Sequence, residues 1–137
     1  MKVTLTTMLL LLAAGCVNQP KLNQTVLLER PEDSGFSKVE FRLVNADNER
    51  HRFVVFDIRH HPSGITAWQS ITEGELERLV LPDVVYVWPG LYVMTHSCGW
   101  KGRTHEMPED RMYIGSNPQY VLECNHNRGL LSLVKPQ

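Results

Sequence analysis

Val84-Val85-Tyr86-Val87-Trp88-Pro89-Gly90-Leu91-Tyr92-Val93-Met94-Thr95-His96-Ser97 decides the fold class. Two runs rich in β-branched and aromatic residues flank a Pro-Gly pair. Such side chains suit a pleated, half-buried surface. Pro-Gly suits the central positions of a type II turn. The segment therefore predicts two strands, Val84 to Trp88 and Leu91 to Ser97.

The same grammar extends in both directions. Upstream, Val39, Phe41 and Leu43 alternate with Lys38, Glu40 and Arg42, the period of a half-buried strand over Lys38 to Asn45. Arg52 to Arg59 is a second β-rich run, and the turn residues Ala46 to Glu49 between them predict a hairpin. Ile65 to Ile71, with Trp68, is a weaker strand. Thr72 to Glu77 carries Gly74 and charge, which fits a loop. Downstream, Gly99 to Asp110 is polar and loop-like, followed by strands at Arg111 to Ile114, Gln119 to Cys124 and Leu130 to Val134. Short strands separated by turn residues, with no amphipathic helix, predict an all-β sandwich or partly open barrel with antiparallel neighbours.

The other informative stretch is the first sixteen residues. Met1-Lys2 is a positive start, Val3 to Leu12 is mostly apolar, and Ala13-Ala14-Gly15 precedes Cys16. A permanent transmembrane helix takes roughly 20 apolar residues, and this run is about half that. The order is that of an export signal. Leu12-Ala13-Ala14-Gly15-Cys16 resembles the lipobox of bacterial lipoproteins, with the leucine one position further out than that pattern usually has it. The resemblance implies cleavage before Cys16, lipidation of Cys16 and a membrane partner reached through the lipid. Val17 in place of Asp implies the outer membrane, facing the periplasm.

Residues 1–15 thus read as signal, 16–37 as lipidated cysteine and flexible tether, and 38–137 as one domain. The tether carries Asn18, Gln19, Pro20, Asn23, Gln24, Pro31, Ser34 and Gly35, with Thr25 to Leu28 as a possible edge strand within it. Losing Lys2 with the signal takes the formal charge from −1 to −2. There is no basic surplus for a nucleic-acid partner. The stretch Leu81 to Val134, with its Pro-Gly turn, a strand ending in Cys and a Tyr-x-Leu-x-Cys strand, resembles small bacterial lipoproteins with an immunoglobulin- or transthyretin-like sandwich. That resemblance brings no catalytic residue, while the anchor, the tether and a small β domain point to an envelope-protein partner.

Cys98 and Cys124 are the two cysteines left after Cys16. In an oxidising compartment a disulfide is the default for such a pair. A sharper reading notes the mirror motifs His96-x-Cys98 and Cys124-x-His126. If the cysteines faced each other on antiparallel neighbours, the histidines would too. His96, Cys98, Cys124 and His126 would then suit zinc or copper, His96 and His126 alone could bind copper(II) or zinc weakly beside a disulfide, and a free reactive thiol is the third option. His60-His61 before Pro62 reads as a solvated turn. His105 and Glu106, with Glu109 and Asp110 close by, form a charged loop. Ser97 and Ser116 sit in no Gly-x-Ser-x-Gly elbow. There is no phosphate-binding loop or dinucleotide fingerprint. No cofactor and no catalytic residue are therefore assigned. The reading that remains is a non-enzymatic binding or structural module of the envelope, with periplasmic metal binding as its alternative.

Overall fold

The computed structural model describes residues 19–32, 35–45, 53–69, 83–100 and 107–136. The strand-forming runs give β1 (Val26–Leu27), β2 (Ser37–Val44), β3 (Val55–His60), β4 (Thr66–Gln69), β5 (Val84–Val87), β6 (Gly90–His96), β7 (Glu109–Ile114), β8 (Gln119–Asn125) and β9 (Leu130–Val134). A single 3₁₀ turn, Leu22–Gln24, is the only helical element among the described residues. The strands form two sheets, a five-stranded one in the order β1-β5-β2-β8-β9 and a four-stranded one in the order β4-β3-β6-β7. The all-β sandwich expected from the sequence is what forms.

Period-two burial explains why two layers are needed. Val39 on β2, Val85 and Val87 on β5, and Leu122 and Cys124 on β8 point inward from one sheet. Ile58 on β3, Tyr92 and Met94 on β6, and Met112 and Ile114 on β7 point inward from the other. Each sheet has one apolar face, and stacking the two removes both from water. A fully buried side chain of this size contributes about 1.5–3 kcal/mol.

Two expectations about pairing are overturned. β2 and β3 form no hairpin, because they lie in different sheets. β2 pairs instead with β5 and, in parallel, with β8 from Lys38↔Gln119 to Val44↔Asn125. Alternation fixes which face of a strand is buried but not which strand lies beside it. The parallel β2–β8 pair also departs from the all-antiparallel arrangement, although the other pairings are antiparallel. Glu109 and Asp110, read as loop, begin β7.

The domain also starts earlier than residue 38. Val26 pairs with Val87, and Trp88 N–H donates to Thr25 O at 2.8 Å. Phe36 packs edge-on against Trp88 at 5.2 Å between ring centroids. Thr25 and Val26 are buried. The possible edge strand inside the tether therefore exists, and Thr25, Val26 and Phe36 dock onto the sandwich.

The chain crosses between sheets twice through short connections, and a tyrosine ties down each. At the β5–β6 crossing, Tyr92 Oη–H donates to Trp88 O at 2.7 Å. At the β7–β8 crossing, Gly115 N–H donates to Tyr120 Oη at 3.1 Å, and Ser37 Oγ–H donates to Gly115 O at 3.0 Å. Burial pushes the Tyr92 phenol above its ordinary value, opposed by a hydrogen bond with Thr25. These crossings and the N-terminal segment share one end of the sandwich. Val44, His96, Glu109 and Asn125 mark the other, from which the longer connections 45–54, 70–83 and 97–108 leave.

Candidate functional site

The far end is held by a disulfide. Cys98 follows β6 and Cys124 lies in β8, so the bond joins the two sheets, with Cα atoms 5.7 Å apart. Both cysteines are buried. The close approach continues in the backbone. Gly99 has φ +73°, and a Cβ on it would lie 2.5 Å from Gly129 Cα in the β8–β9 turn.

This arrangement corrects the metal reading. β6 and β8 are not antiparallel neighbours, so His96 does not face His126 in a shared register. Both sulfurs are spent on each other, and the four-ligand set of His96, Cys98, Cys124 and His126 loses its thiolates. The His126 N–H donates to Val44 O at 3.1 Å, which ties the β8–β9 turn to the end of β2. Among the described residues no group of three His, Cys, Asp or Glu side chains could hold a metal ion.

His96 has a definite structural task. Its ring is buried and packs edge-on to Phe53. Its Nδ1 accepts from Cys98 N–H at 3.1 Å, and its Nε2 lies 2.7 Å from Asp110 Oδ2. An accepting Nδ1 carries no proton, so the proton sits on Nε2 and points to Asp110. The ring therefore braces the residue that carries the disulfide sulfur and links β6 to β7. A His–Asp pair is also half of a hydrolytic triad. Here both ring nitrogens are engaged, and Ser97 Oγ accepts from Val54 N–H at 2.9 Å. The pair has no ring nitrogen left for a nucleophile.

Sequence reasoning placed Asp110 near a candidate loop and missed its pairing with His96. It also missed the outer face of the four-stranded sheet. There Arg59 sits between Asp57, at 2.7 Å from Nε, and Glu109. The Asp57 contact is ionic, since the Nε–H does not align on the carboxylate as a hydrogen bond. Desolvation raises Asp57 above the usual carboxylate range, with Arg59 pulling the other way. The spacing Asp57-x-Arg59 puts both on one face of β3, and that was readable. Glu109 comes from β7 across β6, and that was not.

A shallow groove of about 780 Å³ opens between β7 and β9, the edge strands of the two sheets. Arg111 and Tyr113 form one wall, Leu131, Leu133 and Lys135 the other, and Ser116 lies in its lining. Tyr113 is 69% exposed. Nothing in the periodicity brings these strands together, because the adjacency depends on the order of both sheets. His60 Nδ1 lies 2.9 Å from Ser63 Oγ in the turn after β3. Cys16, His105 and Glu106 lie outside the described residues.

Comparison with family models, curated proteins and solved structures finds no match to this chain. Among the described residues no helix is long and apolar enough to cross a membrane.

Proposed function

We propose that the chain is a lipoprotein, held by acyl chains on Cys16 and facing the periplasm, that acts by binding rather than by catalysis. The observation that carries the reading is its polarity. The N-terminal segment joins the sandwich at the end marked by Val26 and Val87, and the Cys98–Cys124 bond closes the opposite end. A lipid on Cys16 would thus hold one end at a membrane and leave the disulfide end clear of it. The lipobox-like Leu12 to Cys16 supports the anchor. Two or more acyl chains retain a protein firmly, since a buried methylene contributes about 0.8 kcal/mol. A disulfide suits an exported protein. The outer membrane is the location that Val17 favours.

The engaged nitrogens of His96 and the hydrogen-bonded Ser97 support the non-catalytic part. Feeding cells a labelled fatty acid tests the anchor. Label is expected on the wild-type protein and none on Cys16→Ser. An unlabelled wild-type protein would remove the anchor from this reading.

A further inference from the structure

An unpaired sheet edge offers a row of free N–H and C=O groups, and proteins blunt such edges by shortness, cover or charge. Three of the four edges here are blunted. β1 has two residues. β4 has four, and the 3₁₀ turn packs against it. β7 carries Glu109, Asp110 and Arg111, with Glu109 held by Arg59 and Asp110 by His96. β9 is the exception. It reads Leu-Leu-Ser-Leu-Val, with no charge, no proline and no glycine. Leu130 and Val134 are 55% and 43% exposed. Among the described residues no strand pairs with its outer side.

The groove beside that edge has a charge of one sign. Arg111 and Lys135 line it, and no Asp or Glu does. Neither cation has an ion-pair partner among the described residues. Tyr113 and Tyr120 supply aromatic surface, and Leu131 and Leu133 the apolar floor. Backbone pairing gives affinity in strand addition, and side-chain pockets give selectivity.

We propose that β9 is the docking edge for an extended, acidic segment of another envelope protein, which adds as a sixth strand and sets its carboxylates on Arg111 and Lys135. The inference rests on the reading of the chain as an envelope binding module and names its partner chemistry. A second copy fits less well. Antiparallel self-pairing centred on Ser132 would set Lys135 of one copy opposite Gly129 of the other, next in sequence to Arg128. It would also turn the copies end over end, with their N-terminal segments at opposite ends of the joint sheet.

The test uses the full lipidated chain in detergent and a fluorescent peptide of alternating valine and threonine with glutamates at both ends. Binding is expected, weakened about ten-fold or more when lysines replace the glutamates. The double reversal Arg111→Glu with Lys135→Glu should invert that preference. Methylating alternate peptide nitrogens should abolish binding, because a strand with blocked N–H groups cannot pair.

Four results would each overturn the proposal. These are no binding of the acidic peptide, equal binding of the N-methylated one, indifference to the double reversal, and polygalacturonate binding as tightly through Arg111 and Lys135. A dimer in sedimentation that the peptide leaves intact would assign the edge to a second copy and overturn it too. Cys16→Ser protein should bind the peptide as wild type does. Peptide binding without fatty-acid label would therefore sink the anchor alone, and label without binding would sink the docking edge alone.

Discussion

The two ends of the sandwich are closed by different chemistry. At the far end a covalent bond joins β8 to the residue just past β6, reinforced by the contact of Gly99 with Gly129 and by the His96 brace. At the near end two tyrosine hydroxyls hold the sheet crossings, Tyr92 on Trp88 and Tyr120 on Gly115. The difference follows chain length. The near-end crossings are short, so one or two hydrogen bonds each suffice to fix them. The far end releases the longer connections 45–54, 70–83 and 97–108, and there the disulfide closes a loop between cysteines 26 residues apart in the unfolded chain.

The largest expected effect breaks that contrast at its covalent side. The cysteines are 26 residues apart in sequence. Replacing both with alanine should lower unfolding free energy in urea by about 3–4 kcal/mol, as should reductant on the wild type. A loss no larger than that of a single hydrogen bond would mean that the two ends are not held differently.

Gly99→Ala comes next, because it combines a positive φ with a clash against Gly129. It should lose at least about 2 kcal/mol. Gly64→Ala, at φ +70° with nothing within 4 Å of the new Cβ, should lose only about 1 kcal/mol. Equal losses in thermal melts would remove the close approach as a cause.

At the near end, Tyr92→Phe and Tyr120→Phe should each lose about 1 kcal/mol. Tyr92 adds a pH signature. Its phenol is raised in the fold above the ordinary 10.0, so the folded state holds that proton more tightly. The contribution is whole below pH 10.0 and is lost as pH rises through the folded value. Tyr92→Phe should therefore soften the alkaline loss of stability. Denaturation curves on either side of pH 10 check it.

The smallest effect belongs to the outer face. Asp57 is also raised, from 3.8, chiefly by desolvation. Its contribution favours the fold below pH 3.8 and is lost as pH rises through the folded value. Asp57→Asn should then gain on the wild type as pH rises past that range. An unchanging difference between the two urea midpoints would show that Arg59 cancels the burial.

What was legible in the sequence is what local pattern controls. Val39, Phe41 and Leu43 announced a buried face, and Trp88-Pro89-Gly90 announced a break between two strands, although Gly90 starts β6 without the positive φ that the expected type II turn needs. The two cysteines are joined, as the default pairing for an oxidising compartment expects. What was not legible is adjacency. Lys38 to Asn45 and Arg52 to Arg59 looked like a hairpin because they are neighbours in sequence, yet they enter opposite sheets. The mirrored His-x-Cys and Cys-x-His motifs misled for the same reason, since they assume that their strands share a ladder. The groove was hidden too, because Arg111 and Lys135 meet only once both sheet orders are known.

The side-by-side run of β2 with β8 has a temporal side. Lys38 must wait for Gln119, and Val44 for Asn125, before the middle of the five-stranded sheet exists. A chain that emerges N-terminus first therefore keeps Val39, Phe41 and Leu43 without their main neighbour until Gln119 to Asn125 is available. Such distant partnerships slow folding and lengthen the interval in which bare strands can find the wrong mate. Wrong mates stay open to Val39, Phe41 and Leu43 until the hairpin Gln119 to Val134 is made.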